Sequence, residues 1–142
     1  MADQITPQPI VVTHEGGVKF AVQIRSHHII VDQPLSASGH DAGPTPLELL
    51  GASLGTCVAL YVQQFFRVRG IGHPGMRVEV EQHNAAHPTR VGHFVAHVIL
   101  PADLPEGMRE LVERVAQNCP VHNTLVHGAE VRVEIQPAAA LV

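Results

Sequence analysis

The stretch PLELLGASLGTCVALYVQQFFRVRG, residues 46–70, decides the fold of this 142-residue chain. Glu48 is its only charged residue before Arg67. Helix signals mark both ends, because Thr45 is a favourable N-cap before a proline and Gly70 is a favourable stop. A helix that is apolar nearly all round is normally buried. We therefore expect residues 46–70 to form a central helix that is covered on most sides.

The amino-acid composition limits the classes of protein to which this chain can belong. The apolar content is 45%, the charged content is 15%, and the net charge is −4 with histidines neutral. These values predict a folded globular chain, and the lack of any basic block argues against nucleic acid or an anionic membrane as a partner. The first residues do not resemble a signal peptide. We expect one domain over residues 1–142, located in the cytoplasm.

Periodicity on either side of the central helix predicts strands in groups rather than singly between helices. This grouping favours an α+β fold with mostly antiparallel sheets. A central helix with almost no polar face needs more cover than one small sheet supplies, so we expect a homodimer. The predicted strands are residues 10–13, 18–24, 28–32, 76–82, 90–100 and 130–135, the predicted helices 107–118 and 121–126, and the long loop 34–46.

Two cysteines are the candidate chemical groups. Cys57 lies inside the central helix, and Cys119 precedes Pro120, which predicts a helix N-cap at Cys119. Neither belongs to a Cys-x-x-Cys motif, so a zinc or thioredoxin-type site is poorly supported. Separated thiols can run a redox cycle through a sulfenic acid and a disulfide, or both can be inert core residues. At an N-cap, the amides and the helix dipole would make Cys119 a good leaving group.

The segments GPTPLELL (residues 43–50) and CPVHN (residues 119–123), with the alanine- and glycine-containing run to Cys57, resemble the OsmC/Ohr family of osmotically induced and organic-hydroperoxide-resistance proteins. The resemblance covers roughly residues 16–135. It implies an OsmC-like α+β fold, with sheets wrapped around central helices in an intertwined homodimer. It also implies cysteine-based reduction of organic hydroperoxides, with small thiols or lipoylated proteins as reductants. By this match Cys57 is the peroxidatic cysteine and Cys119 the resolving one.

The family pattern also suggests supporting residues for a reactive Cys57. In studied members a glutamate directly follows the helix-initial proline and orients an arginine, but here Leu47 takes that position and Glu48 comes next. On a regular helix Glu48 points about 180° away from Cys57, which favours a capping role. Arg25 is the only arginine before Cys57. His28 and His122 are the other candidates for a cation that stabilises its thiolate.

Eleven histidines raise the question of a metal site. His93 and His97 share a face of a predicted strand but lie about 13 Å apart along it. We expect most histidines to be ordinary surface residues, and we expect no metal and no cofactor. A thiol-dependent hydroperoxide reductase is the leading hypothesis. A binding protein of the same fold, holding a small apolar or thiol-reactive ligand without turnover, is the alternative, and a histidine-based metal enzyme is the least favoured.

Overall fold

The computed structural model describes residues 7–72, 75–100 and 104–138, and within them the chain is α+β. The class predicted from the sequence is thus confirmed, as are helices near residues 107–118 and 121–126. The elements in chain order are β1 (Val11–Gly16), β2 (Lys19–Ile24), β3 (His27–Val31), a 3₁₀ helix (Leu35–Ala37), α1 (Pro46–Val68), β4 (Arg77–Ala85), β5 (Arg90–Ile99), α2 (Met108–Ala116) and α3 (Pro120–His127).

The first three strands form an antiparallel sheet in the order β1-β2-β3, and β4 and β5 form a separate two-stranded sheet. The turn between β1 and β2 uses Gly16 at φ 110° and Gly17 at φ 56°. Both values lie in the region that only glycine enters without strain, which explains why this pair forms the turn. The register shifts between His14 and Gly16, so Glu15 lies in a bulge.

The loop after β3 is fastened by a buried carboxylate. Asp32 is 1% exposed and accepts hydrogen bonds from the main-chain N–H groups of Gln33 (2.8 Å), His40 (3.1 Å) and Ala42 (3.1 Å). These bonds, that from Ala42 first, hold the pKa of Asp32 below its usual value. Gly39 packs so closely on the Gln33 main chain that a Cβ there would overlap the Gln33 carbonyl. The segment following β3 is therefore fixed around Asp32.

Helix α1 is defined by its two ends. Glu48 N–H donates to Thr45 Oγ1 at 3.3 Å and Thr45 N–H donates to Glu48 Oε2 at 2.7 Å, which is a capping box. At the other end Gly70 has φ 64°, and Ile71 N–H donates to the Phe66 carbonyl at 3.0 Å. This pattern is a Schellman motif, which ends the helix at Val68.

Burial of α1 follows one stripe rather than all of its surface. The opposite side is exposed and includes small and apolar residues such as Ala52 and Leu60. This differs from the expectation of cover on most sides, because the elements of a single chain bury only one stripe. By length and composition alone α1 could also cross a membrane, a test that core helices of soluble proteins pass as well. The buried positions are Gly51, Leu54, Gly55, Val58, Val62, Phe65 and Phe66.

The chain divides into two compact units, and α1 contributes to both. The first comprises the described residues up to Gly55 and Glu79–His97. In it, Gln82 Nε2 donates to the Leu47 carbonyl at 3.0 Å, and Gly51 leaves room for the Gln82 side chain. The absence of a Cβ at Gly51 therefore lets α1 approach β4 closely.

The second unit comprises the described residues of Thr56–Val78 and of the chain from Val98 onward. Its buried side chains include Val62, Phe66 and Val112. Phe65 and Phe66 meet edge to face, with ring centroids 5.7 Å apart. Both cysteines belong to this unit.

The predicted strand at residues 130–135 is not formed. After Gly128, which ends α3, residues 129–138 form neither helix nor strand. Val131, Val133 and Ile135 are 80%, 84% and 92% exposed. Alternation is the pattern of a strand, but a strand also needs a hydrogen-bonded neighbour, and no described strand pairs with this segment.

Candidate active site

Cys57 is presented by the middle of α1. It lies beside the buried stripe, next to buried Val58, and its own side chain is half-buried. The helix continues without a break on both sides of it. Cys57 therefore has a fixed backbone position and remains partly accessible to small molecules.

Cys119 is the N-cap of α3, as its position before Pro120 predicts. Its Sγ accepts a hydrogen bond from the His122 main-chain N–H at 3.2 Å, and its carbonyl accepts one from Asn123 N–H at 3.0 Å. The residue is completely buried, at 0% exposure. A small polarisable thiol thus replaces the hydroxyl or carboxylate that usually caps a helix.

The fold brings the two cysteines together as free thiols. Burial raises the pKa of Cys119, and the neighbouring Cys57 thiol raises that pKa further. The amides of His122 and Val121 act in the opposite direction, but burial outweighs them. The N-cap position predicted for Cys119 is therefore found, whereas the thiolate stabilisation expected there is overcome by desolvation. Burial therefore favours the protonated form of Cys119.

The suggested supporting residues lie in both units. Glu48 is held in the capping box at the start of α1, in the first unit. Arg25, at φ 53°, lies in the exposed turn between β2 and β3, and His28 is an exposed residue of β3. His122 belongs to the second unit with the cysteines, and its Nδ1 is buried without a hydrogen-bond partner among the described residues.

Two histidines contact one carboxylate on β4 and β5, and a third histidine stacks on one of them. Glu81 oxygens lie 3.2 Å from His83 Nε2 and 3.2 Å from His97 Nε2. The bonds from His83 and His97 lower the pKa of Glu81. His93 stacks on His83 with centroids 4.3 Å apart. Within residues 7–72, 75–100 and 104–138, no three potential ligands are arranged to hold a metal ion.

Sequence reasoning did not assign a role to Asp32 or to the Glu81 cluster. An aspartate before a glycine- and proline-rich loop often accepts hydrogen bonds from main-chain N–H groups, so this role of Asp32 could have been predicted. The contact of Glu81 with His83 lies within β4, whereas its contact with His97 depends on the pairing of β4 with β5, which the spacing of His93 and His97 alone does not give.

The α+β order of strands and helices is that of an OsmC-type protein. The family model described as OsmC-like protein matches residues 39–134, so the chain belongs to the OsmC-like family. No curated protein matches the chain.

Solved structures with 17–23% identity share the fold. A protein of Psychrobacter arcticus 273-4 is 23% identical, with a TM-score of 0.76 over 85% of this chain and 90% of that one. An OsmC-like protein from Mycoplasma pneumoniae is 17% identical, with a TM-score of 0.72 over 87% and 89%. An organic hydroperoxide resistance protein OsmC from Legionella pneumophila is 18% identical, with a TM-score of 0.59 over 84% and 90%.

Proposed function

We propose that the chain reduces organic hydroperoxides, with Cys57 and Cys119 as its redox pair. The observation that carries this proposal is the pairing of a half-buried thiol with a completely buried one. A hydroperoxide can approach Cys57 more readily than Cys119, so Cys57 is the peroxidatic cysteine and Cys119 the resolving one. Similarity to an organic hydroperoxide resistance protein supports this substrate class. The activity belongs in the cytoplasm, where reductants keep thiols available.

The proposed cycle has three balanced steps. The Cys57 sulfur attacks the distal peroxide oxygen, the O–O bond breaks, and the products are an alcohol and a Cys57 sulfenic acid. The Cys119 sulfur then attacks the Cys57 sulfur, which forms a disulfide and releases water. Two equivalents of a small thiol, or one dihydrolipoyl group of a lipoylated protein, finally open the disulfide by exchange, restore both thiols and leave as a disulfide.

The first step requires Cys57 as a thiolate, and a nearby cation would favour that form. Arg25, His28 and His122 remain the proposed sources of this cation. Glu48 is the least suited supporting residue, because its carboxylate already accepts the Thr45 N–H.

A homodimer is part of the proposal because apolar surface is left exposed. The exposed side of α1 and the alternating residues Val131, Val133 and Ile135 are larger apolar areas than isolated surface residues provide. A second copy of the chain would cover both and would supply the strand partner that residues 129–138 do not find among the described strands.

The dimer is tested with one substitution at an apolar position of this segment and one at the charged position next to it. Val133→Asp should shift the sedimentation coefficient towards that of a monomer, because it places a charge in the covered face. Glu134→Lys, a charge change at the adjacent polar position, should leave the dimer intact. A wild-type protein that sediments as a monomer at micromolar concentration would refute the dimer.

An alternative function is supported by the use of Glu48 as a helix cap. A chain that keeps the OsmC fold without the glutamate–arginine pair of studied peroxidases could hold a small apolar or thiol-reactive ligand without turnover. Native mass spectrometry of the purified protein distinguishes this function by a co-purifying mass that Cys57→Ser changes or removes.

The peroxidase itself is tested by stopped-flow kinetics with cumene hydroperoxide and a dithiol reductant. Wild type should turn over, Cys57→Ser should be inactive, and Cys119→Ser should accumulate a sulfenic acid that dimedone traps. Cys57 that is still reduced after excess hydroperoxide would rule out this function.

A further inference from the structure

The imidazole of His122 has a buried nitrogen without a hydrogen-bond partner among the described residues. Its Nδ1 is shielded from solvent and makes no hydrogen bond within the described part of the chain. Buried polar atoms are nearly always paired, so an unpaired one calls for a functional or structural reason. No other buried side-chain nitrogen or oxygen among the described residues is left in this state.

The position of His122 relates this nitrogen to the thiol pair. His122 lies in the first turn of α3, three residues after Cys119, and its main-chain N–H donates to Cys119 Sγ at 3.2 Å. Cys119 in turn interacts with Cys57. His122 thus contacts the Cys119 sulfur through its main-chain N–H and also bears the buried imidazole nitrogen.

The proposed cycle needs a proton acceptor at this place. Cys119 must lose its proton to become a nucleophile, because the thiolate is the attacking form. Burial favours the protonated thiol, and a completely buried sulfur has no direct contact with water that could take the proton.

The other ionisable groups of this unit are less suited. The charged residues of α2 and Arg67 of α1 are exposed. Tyr61 of α1 is half-buried, and His127 lies exposed at the far end of α3.

We infer that His122 is the general base of the resolving step: its Nδ1, free to accept with the ring proton on Nε2, takes the thiol proton of Cys119 as the sulfur attacks oxidised Cys57. This assignment rests on the proposed function. The S–S bond forms, the S–O bond of the Cys57 sulfenic acid breaks, and the departing hydroxide takes the proton from His122 and leaves as water. In the reduced structure Nδ1 is not bonded to Cys119, so the transfer requires a rotation of the His122 side chain. Such contacts often form only during the reaction.

The test uses an aryl disulfide, so that it does not depend on peroxidase activity. 5,5′-Dithiobis(2-nitrobenzoate) reacts with Cys57 and releases one equivalent of thionitrobenzoate. Attack of Cys119 on the mixed disulfide then releases a second equivalent, and the proton again goes to the base. The rate of the second release, measured by absorbance from pH 5 to 9, reports the resolving step alone.

His122→Gln should slow the second release by about 10²-fold at neutral pH, in line with the contribution of a general base. Its rate should rise about tenfold per pH unit as the Cys119 thiol ionises. The main-chain N–H to Cys119 is kept in this variant, and the second release should slow by a larger factor than the first. His127→Gln, on the same helix, is the matched control and should behave as wild type.

Several results would overturn the assignment. These are a second release in His122→Gln with the wild-type rate and pH profile, an equal slowing of both releases, or a wild type that releases only one equivalent. His122→Asn replaces His122→Gln in this test if His122→Gln does not give the wild-type circular dichroism spectrum. If Cys57 of wild type stays reduced after excess cumene hydroperoxide but the second release still depends on His122, the peroxidase proposal fails and the role of His122 stands.

Discussion

Replacing Gly39 by alanine tests whether the segment after β3 is held as tightly as its contacts indicate. A Cβ at Gly39 would overlap the main-chain carbonyl of Gln33, which cannot move without shifting the residues bonded to Asp32. Overpacking of this kind costs about 1–3 kcal/mol. The smaller entropy of the unfolded alanine chain returns about 0.4–1 kcal/mol. We therefore expect Gly39→Ala to lower the free energy of unfolding by about 1–2 kcal/mol.

Gly51→Ala is the matched comparison, because the atom that a Cβ would meet there is the flexible end of Gln82. The change gains about 1 kcal/mol of helix propensity. It loses the hydrogen bond from Gln82 to Leu47, which contributes about 0.5–1.5 kcal/mol. The two contributions nearly cancel, so Gly51→Ala should stay within about 0.5 kcal/mol of wild type.

Both variants are compared by urea unfolding, followed by far-UV circular dichroism at one protein concentration, because the stability of an oligomer depends on concentration. Gly39→Ala should also lower Tm by roughly 3–8 °C. If Gly39→Ala is as stable as wild type, or if Gly51→Ala loses as much as Gly39→Ala, the distinction between a rigid and a flexible contact is wrong.

Three further predictions concern ionisation and capping. Asp32 has a lowered pKa, so its contribution to stability is complete above the unfolded pKa of about 3.9 and is lost as the pH falls through the folded pKa. The urea midpoint of Asp32→Asn should therefore change less between pH 2 and 5 than that of wild type, and an equal change would contradict this. Alkylation of Cys119 followed by mass spectrometry should have a lower pH midpoint in Cys57→Ala than in wild type, because one of the causes that raise its pKa is removed while burial remains, and an unchanged midpoint would refute the coupling. Thr45→Ala should cost about 1 kcal/mol of unfolding free energy through loss of the α1 N-cap, and a loss no larger than that of Thr124→Ala, whose Oγ1 donates to a carbonyl inside α3, would contradict a capping role.

The parts of the fold that follow from local sequence were predictable. Thr45, Glu48 and Gly70 are local signals, and they form a capping box and a Schellman motif at the predicted ends of α1. Pro120 likewise predicted the N-cap at Cys119. The strand predicted at residues 130–135 did not form, because alternation indicates which residues face which side but does not supply the second strand of a ladder.

The electrostatics of the site were not predictable from sequence. The sign of the Cys119 pKa shift depends on whether amide hydrogen bonds or burial dominate, and burial is a property of the tertiary packing. The contact of Glu81 with His97 similarly depends on the pairing of β4 with β5.

The raised pKa of Cys119 gives the two thiols a fixed order of reaction in the proposed cycle. A buried, protonated thiol is a poor nucleophile towards hydroperoxide, so oxidation begins at the more accessible Cys57. Once Cys57 is oxidised, its electrophilic sulfur is already beside Cys119. The attack then needs only a proton acceptor, which we infer to be His122. The His122 main-chain N–H offsets only part of the effect of burial, so Cys119 reacts only when an acceptor takes its proton. Burial therefore sets which sulfur reacts first.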